Sequence, residues 1–321
     1  MSNLDTQPTL TTCGGRADVP GVPVHELLQA RDVRLGESTM VRRLLPSLGR
    51  RMIGAWCFVD HYGPDDIADE PGMQVPPHPH LGLQTVSWLR EGSVLHRDSL
   101  GSLATVRPGE LGLMTSGRAI SHSEESPREH ARLLHGAQLW VALPDAHRRV
   151  EPHFEHHAEL PVVAGGGLAA TVIMGTLDGS TSPGTTYSPL VGADLTLAAG
   201  TDVRPPLEPD FEYAVMSMSG EATVDGVPLT PGGLLYLGCG RAELALRSVN
   251  GADLLLLGGE PFAEEIVMWW NFVARTGEEI VAARAAWEDG SDFGTVSGYA
   301  GGRMGAPTLP SVPLRPRGRV R

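Results

Sequence analysis

The chain has 321 residues, 41% hydrophobic and 20% charged, and a formal net charge of −13 in which every cation is an arginine; a field of that sign repels nucleic acid phosphates, so direct binding to DNA or RNA is not expected. Its most apolar stretch, Leu254 to Leu257, is far shorter than the ~20 residues a bilayer-spanning helix needs, and no membrane association is expected. Three widely spaced cysteines, Cys13, Cys57 and Cys239, with no CxxC pair, make no disulfide framework and favour a reducing compartment.

Residues 1–23 read as a loose N-terminal arm with neither the basic nor the apolar region of an export signal, so a cytoplasmic location is expected. The 40 Gly and 26 Pro are scattered between short apolar runs, the pattern of many turns between many strands. From 24 to 165 these runs include "LQTVSWLR" (83–90), "SVLHRDS" (93–99), two strands either side of Pro108-Gly109, and "AQLWVALP" (137–144). Strands at that spacing indicate a sandwich or barrel. The pattern loosens over 145–175, where His147, His153, His156 and His157 are irregularly spaced among charges; a solvated inter-domain linker is expected there. A second strand series fills 166–300. Within it "MSGEATVDG" followed by "PLTPGGLLYL" repeats the plan of "REGSVLHRD" followed by "TVRPGELGLM", which marks an internal duplication. Near the end, Thr276 with Glu279 forms a capping box and Gly290 a stop, so a helix is expected between them with Ile280, Ala283 and Trp287 on one face. Residues 301–321 read as a disordered basic tail.

The chemistry concentrates in two short pairs. His78 and His80 lie in "PPHPHLG", and His122 and Glu124 in "RAISHSEE". Each pair is spaced i, i+2, which on a strand puts both side chains on one face. Two such strands side by side would converge three imidazoles and one carboxylate, a donor set for one divalent first-row metal with positions left open for a substrate. The second series has no histidines at the corresponding positions, so its half is expected to be metal-free. Other candidates have blander readings. His96 and His61 read as turn and loop residues, Cys57 as buried and inert, and Trp269-Trp270 as packing rather than pocket wall. Ser121 and Ser123 have no base partner in the sequence.

The segments "HPHLGLQTVSWLREGSVLHRDSLG", "RPGELGLMTSGRAISHSE" and "AQLWVALP", with the later "LLLLGGEPFAEEIVMWWNFVARTGEEI", together resemble the pirin family. The resemblance implies an all-β bicupin: two antiparallel β-barrels (double-stranded β-helices) packed face to face, with a short C-terminal helix. By position it implies one metal in the N-terminal barrel, held by His78, His80, His122 and Glu124. Fe(II) is the ion implied, with Zn, Mn, Ni, Co and Cu as alternatives. Two departures stand out. Gln84 occupies the place of the glutamate in the general cupin motif, which would remove a charge beside the ligands. Leu81 stands where pirins often carry arginine, a cation that would face a substrate or partner.

Two activities follow from the resemblance. One is a flavonol (quercetin) 2,3-dioxygenase with a small aromatic substrate, in which Glu124 accepts the substrate's acidic proton. The other is a metal- or redox-dependent regulator that binds a protein partner and needs no substrate channel. A monomer is expected in either case.

Overall fold

The computed structural model describes residues 11–13, 23–35 and 39–316. The strands build two halves on one plan. In the first, a seven-stranded sheet runs in the spatial order His153–His157, Leu111–Thr115, Leu83–Glu91, Leu133–Ala142, Trp56–Asp66, Thr39–Leu45, Arg31–Leu35. A four-stranded sheet faces it, in the order Gln74–His80, Ile120–Glu125, Val94–Asp98, Leu103–Val106. The second half repeats this order strand for strand. Its large sheet runs Glu26–Gln29, Gly233–Gly238, Glu212–Gly220, Ala252–Gly259, Leu190–Leu197, Leu168–Leu177, Val162–Gly165; its small sheet runs Thr201–Val203, Leu246–Ser248, Ala222–Val224, Val227–Leu229. Every pairing within these four sheets is antiparallel. The duplication read from the sequence is thus a duplication of topology.

Two segments depart from the sequence reading. The strand 26–29 falls within the N-terminal range yet pairs with Gly233–Tyr236 at the edge of the other half's sheet. It takes the place that 153–157 takes in the first half, where that histidine-rich stretch pairs with 111–115. The expected linker around His153, His156 and His157 is therefore an edge strand, on which Phe154 stacks against His96 and only His156 is exposed. Irregular polarity concealed it, because an edge strand needs only one buried face.

The two large sheets pack against each other, which explains the near-continuous apolar runs. Along Glu212–Gly220, Ala214, Met216 and Met218 join a core shared with Trp56, Val86, Leu113 and Leu139 of the first half, while Tyr213 and Val215 face the interior of their own half. With both faces covered, period-two alternation disappears from the sequence. Trp56 Nε1 donates across the seam to the carbonyls of Val191 and Gly258 at 3.2 and 3.1 Å. The interiors then differ in content. The second half is filled by aliphatic side chains such as Leu195, Leu235, Leu237 and Leu254. The first holds a smaller apolar cluster around Tyr62, Met73, Val75 and Leu89, and the remaining space is polar.

A fifth sheet, Thr11–Cys13, Ile266–Trp269 and Phe272–Ala274, leads into the helix Gly277–Asp289. Thr276 Oγ1 accepts from the Glu279 N–H, and Gly290 closes the helix at φ 81°. Ile280 and Trp287 are buried and Ala283 is partly so, in a cluster with Trp269, Trp270 and Phe272. Residues 301–316, expected as disordered tail, return across this helix. Trp287 Nε1 donates to the Met304 carbonyl at 2.7 Å, and Leu309 and Leu314 pack on the cluster. The apolar residues between the prolines give the segment enough burial to dock. Residues 317–321 lie outside the described range.

Candidate metal centre

The strands Gln74–His80 and Ile120–Glu125 are neighbours, with His122 directly opposite His78. The Nε2 or Nδ1 atoms that His78, His80 and His122 offer lie within 4.8 Å of one another, and no other such group occurs among the described residues. All three rings are buried, at 0–1% exposure. Burial pushes the His78 imidazole down to about 4. It also holds His80 and His122 well below the usual histidine range, helped by each ring's histidine neighbours. Neutral rings keep the lone pair that a metal requires.

The tautomers are dictated from behind. His78 Nδ1 is 2.8 Å from the Pro76 carbonyl and His80 Nδ1 is 3.1 Å from the Asn271 carbonyl. A carbonyl can only accept, so both rings carry their proton on Nδ1 and present a bare Nε2. The Nε2 atoms of His78 and His122 are buried without a hydrogen-bond partner among the described residues. Buried polar atoms are seldom left this way, and a divalent ion at their convergence accounts for them. The donor set fits such an ion.

Glu124 is equally buried at 1% but does not belong to the group of three mutually close ligand atoms. The register between the two strands shifts between His122 and Glu124, with the extra residue on the partner strand, so Glu124 stands across from Val75. Ser87 holds it from the opposite sheet, with Oγ 3.0 Å from Glu124 Oε1 and 3.0 Å from Gln138 Oε1. A hydroxyl has one proton for two acceptors, and Gln138 Nε2 has no partner among the described residues. Turning the Gln138 amide resolves both problems: Nε2 donates to Ser87 Oγ, and Ser87 donates to Glu124. Trp140 closes the side near His80, with ring centroids 5.2 Å apart at 80°. Behind it Arg43 and Asp60 form a buried bidentate pair at 2.8 and 2.8 Å.

Several sequence readings are corrected here. Gln84 is not beside the ligands. In register it pairs with Thr115 and Val141, on the face that carries Val86 and Trp88 into the shared core, and it donates to Thr115 Oγ1 and the Thr185 carbonyl at 3.0 Å each. Thr85 and Ser87 face the site instead. His96 is no turn residue: it lies on Val94–Asp98 opposite Glu124, 4% exposed. His61 is on Trp56–Asp66, fully buried, with Nε2 2.9 Å from His135 Nε2. Cys57 is buried as expected, and that burial pushes its thiol up to about 12, which makes it inert at neutral pH. Leu81 packs beside Phe272 and lines a cavity of about 210 Å³ with Arg118, Arg148 and Arg149. Sequence reasoning missed Ser87, Gln138 and Asn271, which nothing local marks. His96 and Asp98 were legible by the same i, i+2 spacing that revealed the ligands.

Comparison with known proteins agrees with this fold. Residues 38–141 match the pirin family model and residues 192–294 the pirin C-terminal cupin domain model. A Pseudomonas aeruginosa protein named "Putative quercetin 2,3-dioxygenase" is 44% identical over 313 residues, covering 97% of this chain and 98% of its own. The crystal structure of a quercetin 2,3-dioxygenase from Acinetobacter baumannii superposes with a TM-score of 0.88 at 44% identity, covering 91% of this chain and 97% of its own. An Escherichia coli pirin in complex with nickel(II) shares the fold at 18% identity, with a TM-score of 0.57 over 74% of this chain and 100% of its own.

Proposed function

The chain belongs to the pirin family of bicupins, and from that premise we propose that it is a flavonol-type 2,3-dioxygenase whose N-terminal half holds one Fe(II) per chain. The observation that carries this reading is the convergence of three neutral, buried imidazoles, with the buried carboxylate of Glu124 two residues beyond His122 on the same strand. A divalent iron held there would supply Lewis acidity and bring an enolic substrate and dioxygen together. The chain's own residues set the rest. His78, His80 and His122 supply neutral donors with fixed tautomers. Glu124 accepts the proton from the substrate's acidic hydroxyl, and the Gln138–Ser87 pair holds its other oxygen in place. Trp140 offers an aromatic wall beside His80.

Anaerobic iron loading followed by oxygen uptake with a flavonol tests the reading. At matched iron occupancy, Glu124→Gln should keep part of its metal, since an amide oxygen still coordinates weakly. It should lose about 10²–10⁴-fold in turnover, the scale of a general base. Equal rates at equal occupancy would remove Glu124 from proton transfer.

A second reading, a metal-dependent regulator that binds a protein partner, is favoured by one observation: all four side chains are 0–1% exposed, so a flavonol reaches them only if whatever covers them moves. An iron-loaded wild type that consumes no oxygen with any flavonol would favour the regulator.

A further inference from the structure

We infer that His96 and Asp98 form a positioning relay that fixes His122 as a metal ligand and makes it the most electron-rich of the three. This inference rests on the reading above, that the three histidines hold an ion.

The three ligand rings differ in what stands behind them. His78 and His80 are backed by neutral main-chain carbonyls. His122 is backed by a side chain: its Nδ1 is 3.4 Å from Nδ1 of His96, and His96 Nε2 is 3.3 Å from Asp98 Oδ2. All three groups are 1–4% exposed. The strand register puts them together, since His122 pairs with Asp98 and Glu124 with His96. Phe154, reaching across from the opposite sheet, stacks on His96 with centroids 3.9 Å apart at 8° and sets the plane of its ring.

Proton direction follows from the chemistry of the ends. An ion at Nε2 of His122 requires the proton on Nδ1, which then donates to His96 Nδ1. His96 must be bare at Nδ1 and protonated at Nε2, which donates to the Asp98 carboxylate. The chain runs one way, from ligand to anion, and only His122 has a carboxylate at its end. Such an arrangement raises the basicity of a ligating imidazole and locks its orientation. Asp98 is itself pinned, because its Oδ1 accepts the N–H groups of Leu100 and Ser102 at 2.9 Å each. Oδ2 is thereby committed to His96.

That pinning makes Asp98→Asn a sharp test. The amide oxygen would stay on the two N–H groups and the NH₂ would face His96 Nε2, forcing the His96 proton onto Nδ1. Two Nδ1–H groups would then oppose each other, and His122 could bind an ion only against that conflict. Zinc binding to the full-length protein, measured by chelator competition, should weaken about 10–100-fold in Asp98→Asn and in His96→Phe, the range for supporting partners of metal ligands. His96→Gln should lose less than His96→Phe, because its side-chain carbonyl can accept from His122. In the zinc-loaded wild type, long-range proton–nitrogen correlation spectra should show His122 protonated at Nδ1 and His96 at Nε2, a signature that general loosening of the fold would not create. Variants that bind zinc like wild type, or a His96 proton found at Nδ1, would overturn the relay. A wild type that takes up no zinc, or undiminished zinc in His78→Ala, would instead overturn the metal reading beneath it.

Discussion

His61 and His135 bring their Nε2 atoms to 2.9 Å, with His61 0% and His135 5% exposed. Burial, with Arg42 and each other nearby for His61 and with Arg90 and Arg42 for His135, lowers them to about 3 and about 4. Both are therefore neutral when folded at neutral pH. Unfolded histidines titrate near 6.5, so below that value the unfolded chain binds protons that the folded chain refuses. Stability is unaffected by this pair above pH 6.5 and falls as pH drops toward the folded values. Each histidine costs about 1.4 kcal/mol per pH unit across that window, or roughly 2 kcal/mol at pH 5. The metal-free wild type should lose more denaturation midpoint between pH 7 and pH 5 than a His61→Leu/His135→Leu double variant. Parallel losses in the two proteins would show that the pair is protonated within the fold.

At the scale of elements, the centre depends on a contact between distant segments. The turn joining Ile266–Trp269 to Phe272–Ala274 carries Trp270 at φ 52° and Asn271, whose carbonyl faces His80 Nδ1. Gly82, two residues past His80, lies against the same segment: its φ is 73° and a Cβ there would run into the Val273 carbonyl oxygen. The Val273 N–H also donates to the Leu81 carbonyl at 3.0 Å. Gly82→Ala should therefore do two things at once, lowering the melting temperature and weakening zinc binding, because the turn must retreat and take the His80 acceptor with it. A surface glycine change with open space around it, such as Gly101→Ala, provides the control for left-handed backbone strain alone. Gly82→Ala with unchanged zinc affinity would show that His80 does not depend on the turn.

Over the whole molecule, the two halves share one core, and their seam is also polar. Trp88 Nε1 donates to Asp194 at 3.0 Å, and Arg90 reaches Asp194 and Asp253 at 2.5 and 2.6 Å. The second half also borrows structure from the first, since the strand 26–29 completes its sheet. Unfolding should be a single cooperative transition, with tryptophan fluorescence and far-ultraviolet circular dichroism changing at the same denaturant midpoint. Two separated transitions would mean that the halves are independent units. A fragment beginning at residue 162 would lack its edge strand and expose the apolar face that carries Ala214, Met216 and Leu257. It should be recovered only in aggregated or partly folded form.

The sequence by itself determined the all-β character, the duplication, the helix with its caps, and which three imidazoles meet. Each of these rests on a local signal: turn residues at short intervals, Thr276 and Gly290 at the ends of an alanine-rich run, and i, i+2 spacing on adjacent strands. Tertiary structure alone decided which face each strand turns inward. In the large sheets both faces are buried, so apolar residues occupy both parities; Gln84 could equally have faced the ligands or the seam, and it faces the seam. Structure also decided what stands behind each ligand. The acceptor for His80 comes from Asn271, 191 positions away in the chain, and the orientation of His122 depends on a neighbouring strand's register. Spacing within a strand can align two side chains with each other, but only the packing of one strand against another fixes their surroundings.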